Sequence, residues 1–241
     1  MLKTITYEYP DVTFPSIDNL PTEDGIPMET PLHRAEMNLL IDSTHYYWRE
    51  RTDYYVGGNM FIYFSEAQIR NQDYRGPDFY IVKDVDGAKE RQAWIVWEED
   101  GRYPDLIIEL LSESTAELDK TVKKHLYERT FRTLEYYCYD ITRQELMGWR
   151  LGSTGRYETI TPNPEGRLWS ELLQLWLGTW AGDFQKTAAV WLRFFDQSGQ
   201  VVPTLAEAEA ARADREATRA DRAEKELGQL KEELTRLRGK D

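Results

Sequence analysis

The chain has a single cysteine, only three histidines, no excess of basic charge and no long apolar run in 241 residues. Each shortage removes a class of function. Cys138 can close no intramolecular disulfide and has no cysteine partner for a metal knot. Within the apolar stretch from Leu134 to Tyr139 it reads as a small buried hydrophobe. His33, His45 and His125 are scattered and form no ligand spacing such as H-x-x-x-H, so they read as structural or surface residues. No apolar run reaches the roughly 18 residues that a membrane span needs, and Met1-Leu2-Lys3-Thr4 opens without an apolar signal core. A cytoplasmic protein with no membrane partner is the expectation. The 30 Lys and Arg are outnumbered by 43 Asp and Glu, a net charge of -13. That balance argues against a basic nucleic-acid-reading domain. Contact with phosphate would have to be local and salt-sensitive, through residues such as Arg129, Arg132, Arg143, Arg150 and Arg156.

What is present suffices for one good-sized domain and an appendage: 41% of the residues are hydrophobic and 13% aromatic. The aromatics are spread along the chain, which favours core packing over a ligand pocket. Three segments are expected: an irregular N-terminal part over 1–29, a globular domain over 30–202, and a charged helical tail over 203–241. In the globular part, apolar spacing predicts a helix from Leu32 to Tyr47. Strands are predicted at Met60 to Phe64, Phe79 to Val82, Ala93 to Trp97, Leu106 to Leu110, Tyr136 to Tyr139, Leu146 to Leu151 and Tyr157 to Ile160. Turn-forming clusters such as Asp84-Val85-Asp86-Gly87 and Gly152-Ser153-Thr154-Gly155 join several of them as antiparallel neighbours. Trp169, Leu172, Leu173, Leu175 and Trp176 suggest a short helix closing one edge. The class is α/β, with a mixed sheet and a long C-terminal helix.

Beyond Pro203 the composition shifts to Ala, Glu, Arg, Asp, Lys and Leu, with no aromatic residue. Ala206, Ala213, Ala220, Leu227 and Leu234 share one heptad position. Ala223, Leu230 and Leu237 share its companion, which Glu209 and Glu216 occupy earlier. Homo-oligomerisation through 220–238 is therefore weighed against a solvated single helix.

The chemistry concentrates between Pro104 and Tyr127. Glu109 stands among Leu106, Ile107, Ile108, Leu110 and Leu111, the pattern of a strand covered on both faces. An ionised carboxylate there costs several kcal/mol unless a cation or donors meet it. Ser114 and Thr115 then offer N-cap chemistry for a helix on which Asp119, Lys123 and Tyr127 recur every four residues. Upstream, Gly76-Pro77-Asp78 leads into another short strand. Asp78, Glu109 and Lys123 make a divalent-metal and general-base set, because oxygen ligands suit Mg2+ and a nearby ammonium can position its water. Hydrolysis of a phosphodiester is the implied reaction. Plain readings stand beside these: Asp78 as a turn residue, Asp105 as the structural member of the second Pro-Asp pair, Asp119 as a surface ion-pair partner of Lys123, and Tyr127 as packing.

The order PD, an acid within an apolar strand, then a lysine resembles the PD-(D/E)XK nuclease superfamily. More narrowly, P-D-L-I-I-E-L-L-S-x-S-T followed by D-x-x-x-K-x-x-x-Y and E-Y-Y-x-Y-D is similar to the bacterial Uma-type restriction-endonuclease family, over roughly Thr30 to Val202. The resemblance implies a restriction-endonuclease-like core, Mg2+ or Mn2+ as cofactor, and nucleic acid, in the first place DNA, as substrate. It makes Asp78 and Glu109 the metal ligands. Where the superfamily lysine would follow the second acid this chain has Leu111, so the role moves to the helix and selects Lys123, with Lys124 the alternative if the helix phase differs. A further acid from the first helix would be Glu36, with Glu29 behind it. A nuclease-fold assembly module without catalysis, acting through the tail, is the competing reading.

Overall fold

The computed structural model describes residues 15–17, 20–21, 30–70, 76–112 and 116–238. Glu29, the expected caps Ser114 and Thr115, and most of the N-terminal segment lie outside the described residues. Helix α1 (Pro31–Tyr47) starts where the sequence caps it: the Thr30 hydroxyl accepts the His33 amide at 3.2 Å, and Pro31 occupies the first turn, where its missing N–H costs nothing. The strands that follow are β1 (Tyr54–Gly57), β2 (Ile62–Tyr63), β3 (Phe79–Lys83), β4 (Trp94–Ile95), β5 (Leu106–Leu111) and β6 (Glu135–Asp140). After them come β7 (Glu145–Leu151), β8 (Tyr157–Thr159), β9 (Leu168–Ser170), β10 (Leu175–Phe184) and β11 (Thr187–Phe195).

A mixed six-stranded sheet, ordered β1-β3-β5-β6-β7-β8, forms the centre. Only β5 and β6 run parallel within it. A parallel pair needs a crossover, here the helical segment 116–131. Alternation along β5 sends Leu106, Ile108 and Leu110 to a core shared with α1 and the β9-β10-β11 sheet. Ile107 and Leu111 enter a second core with Tyr127, Phe131 and Tyr136. With both faces covered, all six β5 residues are buried, Glu109 among them.

Four expectations are corrected. Of the strand expected from Met60 to Phe64 only Ile62–Tyr63 forms, and the turn at residues 84–87 leads from β3 to β4 of a separate sheet and not to an antiparallel neighbour. Residues 168–176 are not a helix: Leu168–Ser170 and Leu175–Phe184 are antiparallel strands joined by a tight turn at which Gln174 takes a φ of 57°. The apolar spacing there fits either period, and pairing with β11, which buries Leu175 and Leu177 against the sheet, favours the strand. The strand expected from Ala93 to Trp97 is only two residues long before a 3-10 turn at Val96–Glu98.

The C-terminal helix (Leu205–Arg238) is rooted by a capping box. The Glu207 carboxylate accepts the Thr204 amide at 2.7 Å, and the Thr204 hydroxyl accepts the Glu207 amide at 3.2 Å. Glu207 also pairs twice with Arg193, a β11 side chain buried to 1% exposure, at 2.9 and 2.7 Å. Among the described residues no helix is long and apolar enough to cross a membrane.

Candidate active site

Strand pairing brings the two acids together. Phe79 pairs with Ile108, Tyr80 with Ile107 and Ile81 with Leu106, so the same register sets Asp78 opposite Glu109 at the end of β3. Pro77 has no N–H to continue a ladder, and the side chains take over. The Leu110 amide donates to Asp78 Oδ2 at 2.8 Å, and the Asp78 amide points at Glu109 Oε2 at 3.4 Å. Asp105, of the other Pro-Asp pair, accepts the Lys83 amide at 2.8 Å and pins the opposite end of the same strands.

The lysine comes from the crossover. Residues 116–131 alternate between α geometry (Ala116–Leu118, Lys124–Leu126) and π geometry (Asp119–Lys123, Tyr127–Phe131). In an α-helix a four-residue step overshoots one turn by about 40°, so a stripe at 119, 123, 127 and 131 would wind off the sheet. The wider π turns cancel that drift. Asp119, Tyr127 and Phe131 are consequently buried, and Lys123 Nζ reaches Glu109 Oε1 at 3.1 Å and Asp119 Oδ1 at 2.7 Å. Tyr127 donates its hydroxyl to Glu109 Oε1 at 2.8 Å. The Tyr136 hydroxyl donates to the Asp119 carbonyl at 2.9 Å, which ties the helix to β6.

Lys124 points elsewhere, its ammonium 3.9 Å above the Trp149 ring, and it is Lys123 that reaches the acids. Asp119 is not the exposed ion-pair partner expected from its spacing but a buried one, and Tyr127 does more than pack. Neither difference is visible without the π turns. Glu36 is not brought to this cluster. It lies across the sheet, where its Oε2 accepts the Leu192 amide of β11 at 3.1 Å. Burial pushes Glu36 up to about 8, against the lowering effects of that amide and of Arg193. His33 meets the Thr30 hydroxyl and His45 the Tyr54 hydroxyl, away from the acids.

Burial decides the electrostatics. It pushes Asp78 up to about 6, with the Leu110 amide and Lys123 opposing. It pushes Glu109, 1% exposed, up to about 7; Lys123 opposes this and the Asp78 charge adds to it. Burial alone would lower Lys123, but Glu109 and Asp119 hold it above the ordinary lysine value. Asp78, Glu109 and Asp119 thus share one ammonium, whose side chain keeps 16% exposure. Among the described residues no three of His, Cys, Asp and Glu converge as a metal cage. Mg2+ does not require one: it binds through one or two carboxylates and keeps waters and substrate oxygens in its other positions. A pair of hard oxygen donors short of positive charge fits that ion.

A family model described as "Uma2: Putative restriction endonuclease" matches residues 7–181. Among solved structures, a crystal structure described as a putative nuclease belonging to DUF820 from Anabaena variabilis is similar at 16% identity and a TM-score of 0.43. The match covers 61% of this chain and 76% of that one. No curated protein matches the chain.

Proposed function

The chain belongs to the Uma2 "Putative restriction endonuclease" family, and on that footing we propose that it is a divalent-metal-dependent nuclease that hydrolyses phosphodiester bonds of DNA. The observation that carries the site is the β3–β5 register, which sets Asp78 across from Glu109 while Lys123 Nζ lies 3.1 Å from the Glu109 carboxylate. Asp78 and Glu109 would hold Mg2+ or Mn2+, which when bound supplies a more acidic water and positive charge for the scissile phosphate. Lys123 holds the attacking water by donating to it, since an ammonium kept charged by two carboxylates is a donor and not a base. Asp119 fixes the lysine, and Tyr127 orients Glu109 so that Oε2 faces Asp78. The head over 30–202 carries this chemistry, with 203–241 as a separate appendage. Exposed leucines on that appendage support self-association through 220–238.

The test is Mg2+ and Mn2+ titration calorimetry on the parent and on Glu109→Gln, with nicking of supercoiled DNA measured on the same preparations. Heat of binding and nicking both vanish in the variant if Glu109 is a ligand. A parent that binds neither ion, or a variant that nicks at the parent rate, refutes the assignment.

A further inference from the structure

We propose that the C-terminal helix pairs with the same helix of a second copy as a parallel, in-register two-stranded coiled coil over residues 220–238, which places both heads at one end of the assembly. The proposal rests on the tail self-association read above and adds its direction, register and recognition code.

Leu227, Leu230 and Leu234 are 52%, 60% and 50% exposed, so among the described residues nothing covers this apolar seam. With Ala220, Leu227 and Leu234 at the a positions, Ala223 and Leu230 fall at d, and the positions flanking the seam are g and e. In a parallel pair each g residue meets the e residue of the following heptad in the partner. Arg219 then meets Glu224, and Glu226 meets Lys231. Both contacts are attractive, and symmetry doubles each. Reversing one helix over the same span would keep an attractive contact only between Glu224 and Lys231 and would part Arg219 from Glu224 and Glu226 from Lys231. The additional opposite-sign contact favours the parallel form.

Closer to the head, Glu209 and Glu216 occupy d positions and would face their own copies. The helices therefore converge only beyond about residue 219, leaving two to three heptads and a modest affinity. The root is nonetheless tied to the head. The ion pair between buried Arg193 and half-buried Glu207 and the Thr204 capping box anchor the start of a helix of 34 residues, about 50 Å long.

Sedimentation equilibrium on the full chain should give a concentration-dependent dimer. Leu227→Asp combined with Leu230→Asp should give a monomer whose head unfolds like the parent. Lys231→Glu should weaken the dimer roughly tenfold at low salt, since two symmetry-related pairs change from attractive to repulsive, and adding Glu226→Lys should restore it. Ala223→Cys reports direction, because the native Cys138 is buried. Parallel pairing brings the two new thiols together for an interchain disulfide. Antiparallel pairing over the same residues would part them by on the order of 18 Å, beyond the roughly 7 Å that a disulfide spans. A parent that stays monomeric at every concentration overturns both self-association and this proposal. A dimer that neither crosslinks at 223 nor shows charge rescue overturns the parallel arrangement alone. The nuclease reading depends on neither result.

Discussion

Glu109→Gln should make the metal-free protein more stable at alkaline pH while abolishing its chemistry. In the folded chain burial lifts Glu109 from an ordinary value of 4.5 to about 7, even with Lys123 beside it. The folded state therefore binds more protons than the unfolded state between those values. The sign follows from linkage: stability contributed by the protonated carboxyl is present below about pH 4.5 and is lost as pH rises through about 7. At about 1.4 kcal/mol per pH unit, the loss approaches 3 kcal/mol by about pH 8. Glutamine has the shape of the neutral acid and cannot titrate. Its amide oxygen can still accept from the Tyr127 hydroxyl, which lies 2.8 Å from Glu109 Oε1 in the parent. Urea unfolding of parent and variant, without divalent ion, should then nearly coincide at about pH 5 and differ by up to about 3 kcal/mol in favour of the variant at about pH 8. Saturating Mg2+ should stabilise the parent at the higher pH and leave the variant unchanged. A variant equally destabilised at both pH values would refute the reasoning, because it would mean that the ionised carboxylate is a net support of the fold.

Removing the cation should act in the opposite direction. Lys123→Met leaves Glu109 and Asp119 buried without a counter-ion, a loss of about 3–5 kcal/mol that should shrink as the pH is lowered and the carboxylates protonate, readable in the same unfolding series. Tyr127→Phe removes one donor to Glu109 and should cost about 1–2 kcal/mol, with a slower nicking rate and little change in Mg2+ affinity. The two Pro-Asp pairs should separate: Asp78→Asn should lose nicking with the fold intact, whereas Asp105→Ala should cost about 1–2 kcal/mol through the orphaned Lys83 amide and retain nicking. Glu36→Gln should leave Mg2+ binding and nicking unaltered, since that carboxyl lies on the other face of the sheet beside Leu192.

Much of the site is legible in one dimension because strand and helix periods are local. An acid inside LIIELL has to be buried wherever that strand lies, and four-residue spacing announces that Asp119, Lys123 and Tyr127 share a face. The heptads of the tail are legible for the same reason. Residues 168–176 are not, because short apolar runs suit both periods and only pairing with β11 decides between them. The burial of Asp119 is also hidden, because nothing in its neighbourhood announces a π turn.

Local composition thus specifies which groups need partners: a buried acid, a lysine on a facing helix, an unpaired leucine seam. Which partners they receive is a matter of tertiary structure. The antiparallel register of β3 on β5 joins Asp78 to Glu109 across 31 positions of chain, and the parallel return to β6 docks the helix that carries Lys123. Glu36 illustrates the difference: its place on a helix follows from sequence pattern, but its burial and the face of the sheet it meets are set by where α1 packs, against β11 and away from the acids. Long-range contacts of that kind depend on how whole layers share apolar surface, which no window of neighbouring residues encodes.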